Sequence, residues 1–476
     1  MKKIFIYRKM LLGLIIPMTL LASCQVTKKY TAPEMNSENL FRDANPADTT
    51  SIASIPWKQY FKDIYLQAYI EEAIENNFDM LIATERIKQS EATLGMARSA
   101  YFPDIALGTR VTQDRLSNAS PTTGLPKDKN VLGYHKETYS LGIVASWELD
   151  IWGKLRRQSK AKYAQMLNNH AGRNFIRTSL ISSLANSYYS LLALDEQLRV
   201  TKDMIRLMEE NLQTTEALKK AGMANGAAVE QTKATLYNTR SSIPDLENNI
   251  GQLENSICLL LGRSPQSIPR SALSDQIETT ELTHGVPVQM LANRPDVVQA
   301  ELSFRSAFEL TQVARTSFYP SVNLTSGMIG FSTLNGLSQF FKPENFFANI
   351  IGELTLPIFA RKQLATQLKI AKSEQQIALL SFEQTVLNAG REVSDILSTY
   401  NSVIRKNESR GQEVESLNKA VDYTRKLLKA GEATYLEVLA AQQGLLQARI
   451  NQINDKLQQL QASSDLYRAL GGGSGE

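Results

Sequence analysis

The residues able to do chemistry are few and scattered. There are two cysteines, Cys24 and Cys258, and three histidines, His135, His170 and His284. The histidines fall on a hairpin loop, a helix and a linker, with no spacing that would gather two of them on one metal. No glycine-rich phosphate loop opens a helix, and no serine nucleophile motif is present. Among the 48 acidic residues no pair is singled out. The chain therefore reads as no enzyme, with no cofactor or metal. Cys258 lies in the apolar run Ile257–Leu261 and reads as core packing. With Cys24 modified, as read below, Cys258 is the one thiol left and no intrachain disulfide is expected. Cys24 differs: it closes an apolar run, Met10 to Leu21, and small residues abut it.

The formal charge of +4 is carried by Lys2, Lys3, Arg8 and Lys9, and the first 23 residues contain no acid. Beyond them 48 basic and 48 acidic residues balance, so a nucleic-acid partner has no electrostatic support. A basic start and an apolar run too short for a stable span make 1–23 a secretory signal. Leu21-Ala22-Ser23-Cys24 resembles the lipobox of bacterial lipoproteins. That implies a thiol that is lipidated and becomes the new N-terminus; a plain signal peptide with an incidental cysteine is the alternative. Gln25 stands where lipoproteins kept in the inner membrane often carry Asp, which implies an outer-membrane destination. Residues 24–56 then read as a polar, lipidated tether lying on the surface.

The elements that follow are long. Helical periodicity runs from Trp57 to about Ala100 and stops at Tyr101-Phe102-Pro103. Apolar alternation of period two then predicts a hairpin over 103–150, with Ile105, Leu107 and Val111 facing Tyr139, Leu141, Ile143, Ala145, Trp147 and Leu149. Trp147 and Trp152 at its base suit the aromatic girdle of a membrane barrel. Residues 154–220 contain no proline, and as one helix would be about 100 Å long. Leu184, Leu191, Leu198, Ile205 and Leu212 recur every seven residues, which predicts a left-handed seam along a long neighbour. A turn at Gly222 and Gly226 leads to a return helix, and 266–286 read as a linker.

The plan then recurs. Ala97-Arg98-Ser99-Ala100-Tyr101-Phe102-Pro103 matches Ala314-Arg315-Thr316-Ser317-Phe318-Tyr319-Pro320, and Lys220-Ala221-Gly222 matches Lys429-Ala430-Gly431. Two internal repeats are expected, 57–265 and 287–470, with 471–476 a tail. The second has a hairpin over 320–357, with Val322, Leu324 and Met328 against Ala348, Ile350, Leu354 and Leu356. Its long helix spans 361–430, with the series Val386, Val393, Tyr400, Asn407, Val414, Val421 and Leu428. Four strands cannot close a membrane barrel, so the expectation is closure by oligomerisation into a symmetric, hollow tube.

Three segments carry a family resemblance. They are Trp147-Glu148-Leu149-Asp150-Ile151-Trp152-Gly153-Lys154, Asn293-Arg294-Pro295-Asp296-Val297 with Ala300-Glu301, and Ala430-Gly431 with Tyr435-Leu436-Glu437-Val438-Leu439. The chain resembles the outer membrane factor family, the TolC- and OprM-like lipoprotein efflux channels, over about Trp57 to Leu470. The resemblance implies a mainly α fold with membrane β: a homotrimer joining a twelve-stranded barrel in the outer membrane to a long coiled helical barrel in the periplasm. It implies partners too, a periplasmic adaptor and an inner-membrane transporter, and outer-membrane lipid around the barrel. By the same resemblance Glu437, with Glu230 displaced by two from the matching Ala228, lines or flanks a periplasmic gate. Gly222, Gly226 and Gly431 mark turns where an adaptor docks. A type I protein-secretion duct and a lipid-anchored structural coiled coil are the other readings.

Overall fold

The computed structural model describes residues 27–34, 55–115, 135–276, 293–334 and 336–473. The signal segment, Cys24 and His284 lie outside them. The elements run α1 (Trp57–Tyr60), α2 (Ile64–Asn76), α3 (Phe78–Ser99), β1 (Asp104–Arg115), β2 (His135–Leu149), α4 (Lys154–Lys220) and α5 (Gly226–Leu260). Then come α6 (Pro295–Thr316), β3 (Ser321–Leu334), β4 (Phe346–Thr355), α7 (Gln363–Ala430) and α8 (Tyr435–Ala469). The described residues fall into two compact units. One is drawn from Met1–Pro33, Lys88–Leu167 and Glu301–Leu380, the other from Glu34–Ile87, Asn168–Ala300 and Ser381–Glu476.

The single helix expected from Trp57 to Ala100 is three. Asp63 Oδ1 accepts from the N–H groups of Tyr65 and Leu66, and Asn77 Oδ1 from those of Asp79 and Met80, so each side chain starts a new helix. His135, expected in the hairpin loop, is the first residue of β2.

In the first unit the four strands form one antiparallel sheet in the order β1-β2-β3-β4. Cross-strand partners share a face, and the register sets Leu107, Ile143, Ile329 and Ala348 in one row. The register shifts where Ser326, Gly327 and Met328 pass β4, a bulge that reverses the alternation along β3. Met328 therefore does not join Val322 and Leu324. It lies buried on the opposite face, its methyl against Gly108, while Ile329 and Phe331 take the apolar side. The backbone N–H of Ala145 beside the bulge is satisfied by Ser326 Oγ at 2.6 Å. Glycine is required here by close approach: a Cβ on Gly142 would lie 2.6 Å from the Ile329 oxygen, and one on Gly330 2.2 Å from the Leu141 oxygen. Leu356 lies beyond the end of β4.

In the second unit α1, α2, the middle of α4 and the ends of α5 and α8 enclose a core that includes Leu66, Ile70, Leu184, Tyr188, Cys258 and Tyr467. The seven-residue series of α7 holds at five of its seven positions: Val386, Val393, Tyr400, Val421 and Leu428 are buried, Asn407 and Val414 half-buried. That of α4 holds only at Leu184 and Leu191; Leu198, Ile205 and Leu212 are half-buried. Beyond Leu191 the buried line is instead Val200, Met204, Met208, Asn211 and Thr215. Those steps of four and three follow a straight helix, against which a strict heptad drifts about 20° per repeat.

Both return helices end against the same kind of donor. Asn77 Nδ2 donates to the Leu260 carbonyl at 3.0 Å, and Arg294 Nη1 to the Ala469 carbonyl at 2.6 Å. Arg294 also binds Asp296 and Glu392, and Glu392 takes a second bond from Arg468. Burial pushes the Glu392 carboxyl up, but the Arg294 hydrogen bond and the charges of Arg468 and Arg294 outweigh it, leaving the group below its ordinary 4.5. A carboxylate depressed in the folded state stabilises the fold above its unfolded value, and that contribution fades as pH falls through the folded one. Melts taken from about pH 6 down to about pH 3 should show Tm falling more steeply for the wild type than for Glu392→Gln. Parallel slopes would contradict this role.

Candidate functional site

Two features of the structure bear on function, one in each unit. The first is the apolar face of the sheet. Ile105 and Leu107 on β1, Ile143 on β2, Leu324 on β3 and Ile350 and Leu354 on β4 are all exposed on it, Leu107 at 75%. Each such side chain is stabilised by about 1.5–3 kcal/mol on leaving water, so this face is built for an apolar surrounding. The other face carries Asp104, Arg110, Thr112, Ser140, Glu148, Asn323 and Glu353. Among the described residues no further strand pairs with either edge, β1 or β4.

The segment Trp147 to Lys154 anchors this sheet at its base. Trp147 Nε1 donates to the Tyr101 carbonyl at 2.8 Å, and Trp152 Nε1 to the Pro320 carbonyl at 2.7 Å. Between them Asp150 caps α4, accepting from Leu155 and Arg156 N–H groups, and Lys154 pairs with Glu148 at 2.9 Å. The two indoles thus hold the entry points of β1 and β3 to the start of α4.

The second feature is the pair of helix turns. At the end of α4 the Gly222 N–H donates to Lys219 and the Met223 N–H to Leu218; at the end of α7 the Gly431 N–H donates to Leu428 and the Glu432 N–H to Leu427. Both are Schellman turns, and Gly222 (φ +75°) and Gly431 (φ +80°) hold the left-handed position. Gly226 does not share this role: it is the first residue of α5, and Asn225 caps that helix by accepting from the Ala228 N–H at 2.9 Å. The turns adjoin. The Met223 methyl lies 3.2 Å from where a Gly431 Cβ would be, and the Tyr435 hydroxyl bonds Gln231 Oε1 at 3.3 Å.

Glu437 is exposed in the first turn of α8, where its carboxylate accepts from both the hydroxyl (3.0 Å) and the N–H (3.4 Å) of Thr434 in a capping box. Glu230 is exposed on α5 and pairs with Lys233 at 3.4 Å. Glu230, and then Glu216, hold the Lys233 ammonium above its ordinary value. Each carboxylate is engaged by its own helix. Sequence reasoning missed the polar interior behind the turns, where Asn211, Thr215, Thr232 and Gln442 are buried near Met204, Met208, Leu236 and Leu445. Gln442 Nε2 reaches the Leu207 carbonyl at 3.3 Å, while its Oε1 and Asn211 Nδ2 have no partner. His170 is exposed on α4, and no group of His, Cys, Asp or Glu suited to a metal occurs among the described residues. No helix among them is long and apolar enough to cross a membrane.

An antiparallel sheet with one lipid-suited face and, in the same chain, long paired helices with capped turns are the parts of an outer-membrane channel subunit. The sequence matches the outer membrane efflux protein family over residues 69–263 and 286–472, and the chain belongs to that family. It is 28% identical to the cation efflux system protein CusC of Escherichia coli O157:H7, covering 95% of this chain and 96% of that one. It is 29% identical to the pyoverdine export outer membrane protein OpmQ of Pseudomonas putida, covering 88% of each. A crystal structure of CusC superimposes with a TM-score of 0.82 at 27% identity over 94% of this chain and 99% of that one. The outer-membrane channel OprN gives 0.84 at 25% identity over 95% and 100%.

The three glycines should behave differently when replaced. An L side chain in the left-handed region costs about 1–2 kcal/mol, so Gly222→Ala and Gly431→Ala should each lower stability by that amount in denaturant melts. Gly226→Ala, within a helix, should be neutral or stabilising by up to about 1 kcal/mol. Equal losses at all three positions would count against the assignment.

Proposed function

We propose that this chain is the outer-membrane exit duct of a tripartite efflux system, a passive, gated channel closed by three copies. The observation that carries the reading is the sheet: one face exposes apolar side chains and both edges are open. Unpaired backbone groups are not tolerated in hydrocarbon. Four strands per chain become twelve in a trimer, enough to close a barrel, with the polar face turned to the lumen. The element order from α3 to α5 recurs from α6 to α8, which supports two repeats and a pseudo-symmetric tube. A lipid on Cys24 would add a membrane anchor.

The solutes come from elsewhere. Relatives on this scaffold are named for cation efflux, pyoverdine export and antibiotic efflux. Such different cargoes support a duct that accepts what an inner-membrane transporter supplies through a periplasmic adaptor. The adjoining turns at Gly222 and Gly431 are the surface we assign to the adaptor. Three copies of Glu437 around one axis would set like charges side by side and attract cations.

The capping box dictates how to test this. Glu437→Ala would also damage the helix start, whereas Glu437→Gln keeps the cap and removes the charge. In planar bilayers the wild type should form stable trimeric channels, and Glu437→Gln should change closed-state conductance or cation preference without loss of trimer. Identical currents would remove Glu437 from the gate, and absence of any channel would overturn the duct.

A further inference from the structure

The strap that follows Cys24 is held by a site on the first unit. Arg157, on the first turn of α4, and Glu309, on α6, form an ion pair at 2.8 Å with side chains only 9% and 3% exposed. Taking both charges out of water is costly unless the remaining donors find partners. The strap supplies them: Arg157 Nη2 donates to Thr27 Oγ1 and to the Lys28 carbonyl, each at 2.8 Å. Gln312, 1% exposed, accepts from the Lys28 N–H at 3.0 Å. Two residues on, the Tyr30 ring packs edge-on against Phe308 and near Phe304, with the Arg305 guanidinium 5.4 Å over its face. Its hydroxyl donates to Glu301 at 3.2 Å. Burial, and then Glu301, push that hydroxyl well above its ordinary value, so it stays a neutral donor.

We propose that Arg157, Glu309 and Gln312, together with the Tyr30 pocket, form a cradle for the mature N-terminus and fix where the lipid on Cys24 enters the membrane. This rests on the lipidation reading. Three residues of chain reach at most about 10 Å, so an acyl group on Cys24 must enter the bilayer within that distance of Thr27. Thr27 is bound at the first turn of α4, directly after the indole of Trp152 grips the Pro320 carbonyl ahead of β3. Anchor and sheet base then meet the membrane as one body. Among the described residues the strap supplies both partners of Arg157 Nη2, beside an Nε that has none.

Two measurements on the full chain in outer-membrane fragments opened to expose the periplasmic face test this. Trypsin should cut after Lys28 and Lys29 slowly in the wild type, and about tenfold or more faster in the Thr27→Ala/Tyr30→Ala double variant, because cleavage tracks the undocked population. An equal rate in both would overturn the cradle. Inserting about six Gly and Ser residues between Gln25 and Val26, up to ~20 Å of added reach, leaves the cradle intact. It should lower the fraction of heat-modifiable trimer severalfold while Cys24 stays acylated by mass spectrometry; an unchanged fraction would overturn the positioning role. An unacylated Cys24 in the wild type would remove the anchor from the proposal, and a wild type without trimers would overturn the duct. In either case the tryptic protection still decides whether the cradle exists.

Discussion

An unpaired strand edge cannot face hydrocarbon, and the first unit is organised around that constraint. Every backbone N–H and C=O left open in lipid costs several kcal/mol. The sheet nevertheless ends in β1 on one side and β4 on the other, with apolar side chains exposed along one face. Its inner face carries glycine where strands approach closely, at Gly142 and Gly330, with Met328 over the gap. A bulge at Ser326–Met328 adds twist, and the Ala145 N–H beside it is met by the Ser326 hydroxyl. Below it Trp147 and Trp152 tie strand entries to the first turn of α4. These contacts fix the twist and the base of the sheet and leave its two edges as the places where, in the proposed duct, other copies would pair.

The second unit solves a different problem, the ends of very long helices. It solves it twice with the same parts. Asn77 and Arg294 each reach the last-turn carbonyl of a return helix, and Gly222 and Gly431 each close a Schellman turn. The differences between the halves are informative. Asn225 caps α5 with its own side chain, whereas at α8 the Glu437 carboxylate takes the Thr434 N–H and hydroxyl, so a carboxylate stands at only one of the two matched positions. The interior behind the turns is polar and methionine-lined, with a buried donor on Asn211 and a buried acceptor on Gln442 both unmatched. Buried polar groups at such seams lower stability while selecting register.

Much of this was legible in the residues. Period-two alternation located both strand pairs, the absence of proline located α4 and α7, and the α7 heptads mark its buried line from Val386 to Leu428. The misses have physical causes. Alternation assumes an uninterrupted ladder, so the inserted residue at Gly327 moved Met328 to the wrong face. Capping side chains at Asp63 and Asn77 break a helix whose apolar pattern runs on. Heptads in α4 give way to the 3.6-residue turn once its partners change. Glu437 was identified as a charge, and its capping role needed the Thr434 hydroxyl in place. Nothing in the spacing of Thr27, Arg157 and Glu309 signals that they meet, since a buried ion pair joins distant segments.

Everything depends on β1 of one copy pairing with β4 of the next. Single cysteines placed in turn along β1 and β4 would test this directly, since Cys258 is buried and leaves little background. The two edges of one sheet are three strand spacings apart, about 14 Å, so a disulfide between them within a chain is out of reach. Oxidation of doubly substituted protein in membranes should give a ladder of linked chains that ends at three. Chains that stay uncrosslinked at every register, and sediment as monomers, would contradict the account.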